Sequence, residues 1–294
     1  MRVAALVSGF GWHIEDLRRA SGILAVEFLP VEFSTLNGHV GRCGRMVESS
    51  GNELSTMDGV LVRMMPPAGL EPVVFRMDTL YRIERAGTLC LNSPRAVEVS
   101  VDKYLSLALI EHAGLSVPPT FAGELAVDAL KAFEELGGDV VVKPLFGSEG
   151  RGLVRLSDRE TAWRVFHALE RIGSVLYVQK TIRHPGFDYR AFVLGGRVVA
   201  AMKRHGPPGD WRTNVAIGGR PEAMQLDPSL EQLAIQAAAA VGAEMAGVDL
   251  LDDLDLGRPV VIEVNAVPGW KALSRVTGKD IALSVLEHLK ELGR

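Results

Sequence analysis

Cysteine is nearly absent from this chain. It holds two, Cys43 and Cys90, far apart and outside any CxxC pair. No HExxH occurs among the seven histidines. A disulfide framework or a zinc site is therefore not expected, and a reducing cytoplasm is the expected compartment. Long apolar runs are missing too. None reaches the ~18 residues that a membrane helix needs. The alanine-rich stretch from Ile235 to Met245 is broken by Gln236 and Glu244 and reads as a buried helix. The start, MRVAALVSGFGW, is apolar but runs at once into HIEDLRRA. It reads as a first buried strand and not as a signal peptide. Basic charge is not in excess. A net charge of -4 disfavours non-specific nucleic-acid binding. Two phosphate motifs are also absent, the Walker ending Gly-Lys-Ser/Thr and the dinucleotide glycine spacing. What is present is ordinary globular composition, 47% hydrophobic and 23% charged. Its 294 residues suffice for two or three small domains.

Three regions are expected. In residues 1–92, RVAALVSG, GILAVEFLPVEF and DGVLVRMMP read as strands and WHIEDLRRAS as a helix, a small parallel α/β domain. Ser93 then caps a helix with Pro94 just inside it, and Ser100 is expected to cap a second helix ending at Gly114. SVPPT follows as an extended connector. Residues 93–178 hold DVVVKPLFGSEGRGLVRL, DRETAWRVFHALERIG and SVLYVQKTI, read as β-loop-β-α-β. Residues 179–294 hold a hairpin turning at Gly195-Gly196, the loop PPGDWRTNVAIGG, a helix capped by Asp227, a second hairpin and a closing helix.

The second hairpin carries the strongest local signal. Asp249 lies on one strand, in GVDLL, and Glu263 and Asn265 on the other, in VIEVN. Residues two apart on a strand share a face, and a turn near Leu256 sets Asp249 opposite Glu263. Two carboxylates facing each other among apolar residues repel and lose solvation. A hard cation removes that conflict, and two carboxylates plus an amide oxygen suit Mg²⁺. The plainer alternative pairs Asp249 with an arginine and turns Glu263 to solvent. That second half would leave Ile262 and Val264 as the only core residues of the strand. If a metal sits there, phosphates belong nearby. Lys143 ends a strand just before a loop holding Gly147, Gly150 and Gly152, whose backbone N–H groups can close over a polyphosphate. Taken alone, such a loop is more often a plain hairpin turn. Arg190, Arg204 and Arg212 form a candidate anion-binding wall beside it.

These pieces, in this order, resemble the ATP-grasp superfamily and, within it, the RimK-like carboxylate–amine ligases. The carrying segments are SVDKYLSLALIEHAGLSVPPT, VVVKPLFGSEGRGLVRL, YVQKTI, DYRAFVLGGRVVAAMKR, GDWRTNVAIGG, AGVDLL, VIEVNAVPGW and TGKDIA, over roughly residues 93–290. The resemblance implies an α/β fold of the α+β ATP-grasp type, with two α+β subdomains clasping ATP behind a small parallel domain. It implies that Lys103 and Lys143 contact the ATP phosphates under the loop of Gly147, Ser148, Gly150 and Gly152. Gln179, Lys180, Thr181 and Ile182 would hold adenine through backbone groups. Asp188 would hold the ribose side, with Arg190 nearby. Arg204, Arg212 and Lys143 would be catalytic, acting on the transferring phosphoryl group or the acyl phosphate, and Asn214 would join Arg212 at the nucleotide. Asp249, Glu263 and Asn265 would bind two Mg²⁺ ions, with Mn²⁺ as a substitute.

The implied activity is ATP-dependent formation of an amide between a small-molecule carboxylate and an amino acid, glutamate by resemblance, through an acyl phosphate. No nucleic acid or membrane partner is expected, and a homo-oligomer is allowed for. GWHIEDLRRA and NAVPGWKAL look like the branch associated with tetrahydromethanopterin-type cofactors, which points to a pterin-linked acceptor. Two departures stand out. Lys180 replaces an acidic residue after the Gln, and PGWKAL replaces PGxEG. Two other readings share the motifs, a small-molecule kinase and a nucleotide-binding regulator without turnover.

Overall fold

The computed structural model describes residues 1–41, 46–147, 152–207, 212–213 and 218–293. Cys43, Ser148, Gly150 and Asn214 lie outside the described residues.

The N-terminal region runs β1 (Arg2–Val7), α1 (Trp12–Leu24), β2 (Glu27–Glu32), β3 (Leu36–Gly38), β4 (Val47–Ser49), β5 (Asn52–Glu53), β6 (Gly59–Val62), α2 (Leu70–Arg85) and β7 (Leu89–Leu91). The first sheet is parallel, in the order β2-β1-β6-β7. Strands covered on both faces read as unbroken apolar runs. Accordingly, the central strands β1 and β6 are buried at nearly every position. Ile14 and Leu17 of α1 pack on the Val3 and Ala5 face, and Leu80 and Ile83 of α2 pack on the Ala4 and Leu6 face. From β1 the chain winds first to β2 and later to β6 on the other side. The winding therefore reverses between β1 and β6.

Two expectations need correction here. GILAVEFLPVEF is not one strand: Gly22–Leu24 finish α1, and Ala25 turns at φ 50 before β2 begins. A small antiparallel sheet of β3, β4 and β5 was not expected either. Its strands are too short to show a period.

The middle region runs α3 (Pro94–Val101), α4 (Lys103–His112), β8 (Thr120–Gly123), α5 (Ala126–Glu135), β9 (Val140–Lys143), β10 (Val154–Leu156), α6 (Arg159–Arg171) and β11 (Leu176–Lys180). Ser93 Oγ accepts the Ala96 N–H, as its sequence position predicts. The cap of α4 is Asp102 and not Ser100, because the Asp102 carboxylate accepts the N–H groups of Tyr104 and Leu105. β8, hidden behind the prolines, completes an antiparallel second sheet in the order β10-β9-β11-β8. β11 runs across the expected boundary at residues 178 and 179.

The last region runs β12 (Phe187–Leu194), β13 (Arg197–His205), β14 (Arg220–Met224), α7 (Pro228–Ala240), β15 (Met245–Asp253), β16 (Arg258–Asn265), α8 (Lys271–Thr277) and α9 (Ile281–Leu292). The antiparallel third sheet has the order β14-β13-β12-β15-β16. Gly195 and Gly196 turn the first hairpin at φ 58 and 68, a region open to glycine at little cost. Asp227 caps α7 through the N–H groups of Ser229 and Leu230. No helix among the described residues is long and apolar enough to cross a membrane.

Candidate active site

The second and third sheets face each other across a cavity of about 740 Å³. On the second sheet, alternation divides the work. Val140, Val142 and Val178 pack under α5 and α6, while Val141, Lys143 and Gln179 line the cavity. On the third sheet one face changes character along its length. Phe192 and Leu194 enter the core shared with the first sheet. Asp188 and Arg190, earlier on the same face of β12, line or border the cavity.

The hairpin register is as the sequence implies. Asp249 pairs with Glu263, and Arg190 of β12 pairs with Asp249 from the other side. Arg190, Asp249 and Glu263 thus form one row across three strands. Arg190 Nη1 donates to Asp249 Oδ1 at 2.6 Å. Arg204 lies directly across from Asp188. It donates Nε and Nη2 to the two Asp188 oxygens at 2.7 and 2.6 Å. The same Nη2 lies 2.9 Å from Asp249 Oδ2. Thr213 Oγ1 donates to Asp188 Oδ2 at 2.6 Å. Burial alone would raise the Asp249 carboxyl, but Arg190 and Arg204 hold it below the usual carboxylate range. Burial likewise opposes the charge on Arg204, and Asp249 and Asp188 outweigh it, so its pKa is raised.

Glu263 differs from Asp249. Its carboxylate has no hydrogen-bond or ion-pair partner among the described residues. It acts instead on Lys103 and Lys143, partly offsetting the lowering that burial imposes on both. Lys143 donates to Gln179 Oε1 at 2.7 Å. Gln179 is anchored in turn by Thr120 Oγ1 at 2.9 Å. Lys103 donates to the Gly147 carbonyl at 2.6 Å. Burial pushes Lys143 down to about 8; Glu263 opposes this and Lys103 adds to it. Lys103 is also lowered, again mainly by burial.

Asn265 shares the Glu263 face, and its Oδ1 accepts the Val267 N–H at 2.8 Å. Oxygen donors of the kind Mg²⁺ takes are therefore together, and Glu263 is the one without a competing partner. Asp249 and Asn265 would exchange partners to join it. No group of three or more His, Cys, Asp or Glu is placed to hold a metal ion among the described residues. The donor set is two carboxylates and an amide, which suits a hard cation that also takes phosphate oxygens.

The remaining residues fall as follows. Gly147 and Gly152 flank the loop at φ 145 and 75, and a Cβ on Gly152 would come within 2.9 Å of Pro144 Cγ. Lys180, Thr181, Ile182 and Arg212 line the cavity. The Lys180 and Thr181 N–H groups are taken by the carbonyls of Pro119 and Asp139. Those two N–H groups are therefore not open to a ligand. Ile182 is buried, whereas Lys180 is exposed.

β16 departs from strict alternation, because Ile262 lines the cavity beside Glu263. The register slips between Asp249 and Leu250, so Leu250 pairs with Val261 and Ile262 is an extra residue, a β-bulge. Sequence reasoning also missed Gly247. A Cβ there would lie 2.6 Å from the Arg190 guanidinium. A glycine inside a strand signals such a close approach, and AGVDLL carried that signal. Thr213, inside DWRTN, gave none.

Residues 100–289 match the model of the RimK-like ATP-grasp domain. The chain is 34% identical to the tetrahydromethanopterin:alpha-L-glutamate ligase of Methanosarcina acetivorans, over 81% of this chain and 82% of that protein. It is 33% identical to a probable alpha-L-glutamate ligase of Aeromonas salmonicida, over 83% and 80%. The ATP-grasp ligase PsnB, solved with its minimal precursor, superposes with a TM-score of 0.79 at 21% identity over 98% of both chains. A RimK domain protein from Sphaerobacter thermophilus superposes with a TM-score of 0.76 at 22% identity, over 98% and 99%. Those two structures show the shared fold.

Proposed function

From the premise that the chain belongs to the RimK-like ATP-grasp family, we propose that it joins an amino acid, glutamate first, to the carboxylate of a pterin-linked acceptor. The reaction class is ATP-dependent carboxylate–amine ligation, and ATP and Mg²⁺ are its requirements. The relatives named as glutamate ligases favour the donor, and the Methanosarcina relative favours the acceptor. Two metal ions, tolerance of Mn²⁺, a cytoplasmic location and a homo-oligomer belong to the same proposal. So does the division into 1–92, 93–178 and 179–294, with the last boundary moved past Lys180.

One observation carries the reading. Lys103 of α4 and Lys143 of β9 line the same cavity, of nucleotide size, as Asp249 and Glu263 of the second hairpin. The roles follow from placement. Lys143 and Lys103 leave Gln179 and Gly147 to meet phosphate oxygens as point charges. Gly147 and Gly152 let the loop between them approach the phosphates. Asp249, Glu263 and Asn265 would hold Mg²⁺, which supplies charge neutralisation at the moving phosphoryl group. A substrate carboxylate attacks the γ-phosphorus, ADP leaves, and the acyl phosphate forms. The amine then attacks that carbonyl and phosphate leaves. Arg204, fixed by Asp188, and Arg212 stabilise the oxyanion.

Purified protein with ATP, Mg²⁺, amino acids and pterin carboxylates tests the reading. Equal amounts of ADP, phosphate and a new amide are expected. A phosphorylated product without free phosphate would establish a kinase instead. Nucleotide-dependent stabilisation without turnover would establish a regulator.

A further inference from the structure

The first sheet carries a polar cluster that the cavity between the other two sheets does not use. Arg63 directly follows β6, and its backbone N–H continues the sheet by donating to Leu6 of β1 at 2.9 Å. Its side chain is buried, the residue being only 6% exposed. Nη2 donates to the Pro268 carbonyl at 2.9 Å, and the guanidinium lies 4.2 Å above the Trp270 ring. Nε and Nη1 are buried and have no hydrogen-bond partner among the described residues. Burial pushes the Arg63 pKa down to about 9, which keeps it cationic at neutral pH, and no carboxylate acts to raise it.

The neighbouring groups are already committed. Trp270 N–H donates to His13 Nε2, and Trp270 Nε1 donates to Asp16 Oδ2, both at 3.0 Å. The other Asp16 oxygen accepts from Arg19. Arg63 is thus a buried cation with two unused donors and no acid to meet them.

Its position is informative. In open α/β sheets, ligands bind at the carboxyl ends of the strands where the winding reverses. Here that point lies between β1 and β6, and Arg63 stands on it. The segments leaving these strand ends are exposed, with Phe10 at 59% and Met64 at 56%. Pro268, which Arg63 holds, lies only three positions beyond Asn265 of the metal hairpin. The cluster and the ATP cleft are therefore joined by one short stretch of chain.

We propose that the carboxyl ends of β1 and β6, anchored by Arg63, form an anion subsite for a substrate carboxylate that the reaction does not consume. The carboxylate belongs to the incoming amino acid or to the acceptor. Its identity rests on the ligase reading; the anion site itself does not. Because the two N–H groups are shut from solvent, binding displaces the cover over them.

Arg63→Met and Arg63→Lys test this in the intact chain. In Arg63→Met the KM for L-glutamate or for the pterin carboxylate rises about tenfold or more, while the KM for ATP stays within about twofold. The substrate whose KM rises is the source of the carboxylate. Unchanged KM for both, in a folded variant, overturns the proposal and leaves Arg63 as a strut beneath Trp270. Should Arg63→Met not fold, Arg63→Lys carries the same two readings, because lysine keeps the charge and loses the directed N–H groups. An ATP-free measurement separates this from the ligase reading. Glutarate, a dicarboxylate without an amine, is expected to raise the Tm of the wild type and not of Arg63→Lys. No shift in the wild type, or the same shift in both, overturns the subsite. A wild type that releases no ADP with any acceptor counts against the ligase reading alone, and the glutarate result then decides the subsite.

Discussion

On the third sheet, Asp188 and Asp249 meet Arg190 and Arg204 at 2.6 to 2.9 Å. By contrast, Lys143 of the second sheet and Lys103 at the start of α4 meet only neutral oxygens, those of Gln179, Gly147 and Leu145. Apart from Glu263, the wall formed by the third sheet has balanced its charges internally. The lysines are partly buried ammonium groups whose pKa burial lowers, held charged in part by Glu263. A polyanion gains most from the second wall, because nothing there must surrender an ion pair to receive it. A cation gains most at Glu263, the acid without a partner. The asymmetry fits a site that takes both together.

Substitutions should separate the walls. The largest effect is expected for Glu263→Ala, which abolishes ADP release yet leaves the circular-dichroism melt near wild type, since no hydrogen bond is lost. Undiminished turnover would remove Glu263 from the metal set. Next comes Arg204→Met. It leaves Asp188 with only Thr213 and Asp249 with only Arg190, and should destabilise the fold by about 3 kcal/mol in denaturant titration. A loss under about 1 kcal/mol would mean that water reaches Asp188 and Asp249.

The mirror substitution, Lys143→Met, should behave oppositely. It removes a desolvated ammonium and leaves Gln179 Oε1 unpaired, two small terms of opposite sign, so stability should move by less than about 1 kcal/mol. The KM for ATP should rise by roughly tenfold or more. Equal destabilisation by both substitutions would erase the distinction between the walls.

An effect without consequence for turnover lies away from the cavity. Burial, with Arg63, lowers the His13 pKa to about 4 from the ordinary 6.5. The unfolded chain therefore binds a proton at a pH where the native ring does not. Stability contributed by neutral His13 is present above about pH 6.5 and is lost as pH falls toward 4. After discounting for partial exposure, roughly 2 kcal/mol is at stake. Melts of wild type and His13→Gln across that window should converge at acid pH.

Much of this site was legible in the sequence, for identifiable reasons. Asp249 and Glu263 could be set opposite each other because a strand has a period of two and DLDLGRP marks a turn. Lys143 could be placed at a strand end because VVVK precedes a proline. Asp227 and Ser93 announced their helices by cap chemistry. What stayed hidden was non-local. That Arg190 and Arg204 would hold Asp249 depends on β12 pairing with β15, across more than fifty residues of chain. Asp102 displaced Ser100 as a cap because both are capping types two positions apart, and only packing chooses between them. β8 and β14 were missed because neither shows an alternating apolar pattern, and α8 because KALSRVT is only two turns long.

The extra residue at Ile262 has a consequence for how this hairpin tolerates change. A slip of one residue inside a strand acts as a phase shift. Before it, β16 follows one alternation of inside and outside; after it, the other. Val261 and Val264 both reach the core, and Ile262 and Glu263 both reach the cavity. Deleting one residue there would leave the composition of the hairpin almost unchanged. It would still reverse the facing of everything on one side of the gap. Apolar substitutions along β16 can be absorbed one by one, but its length at this point is fixed by the chemistry it serves.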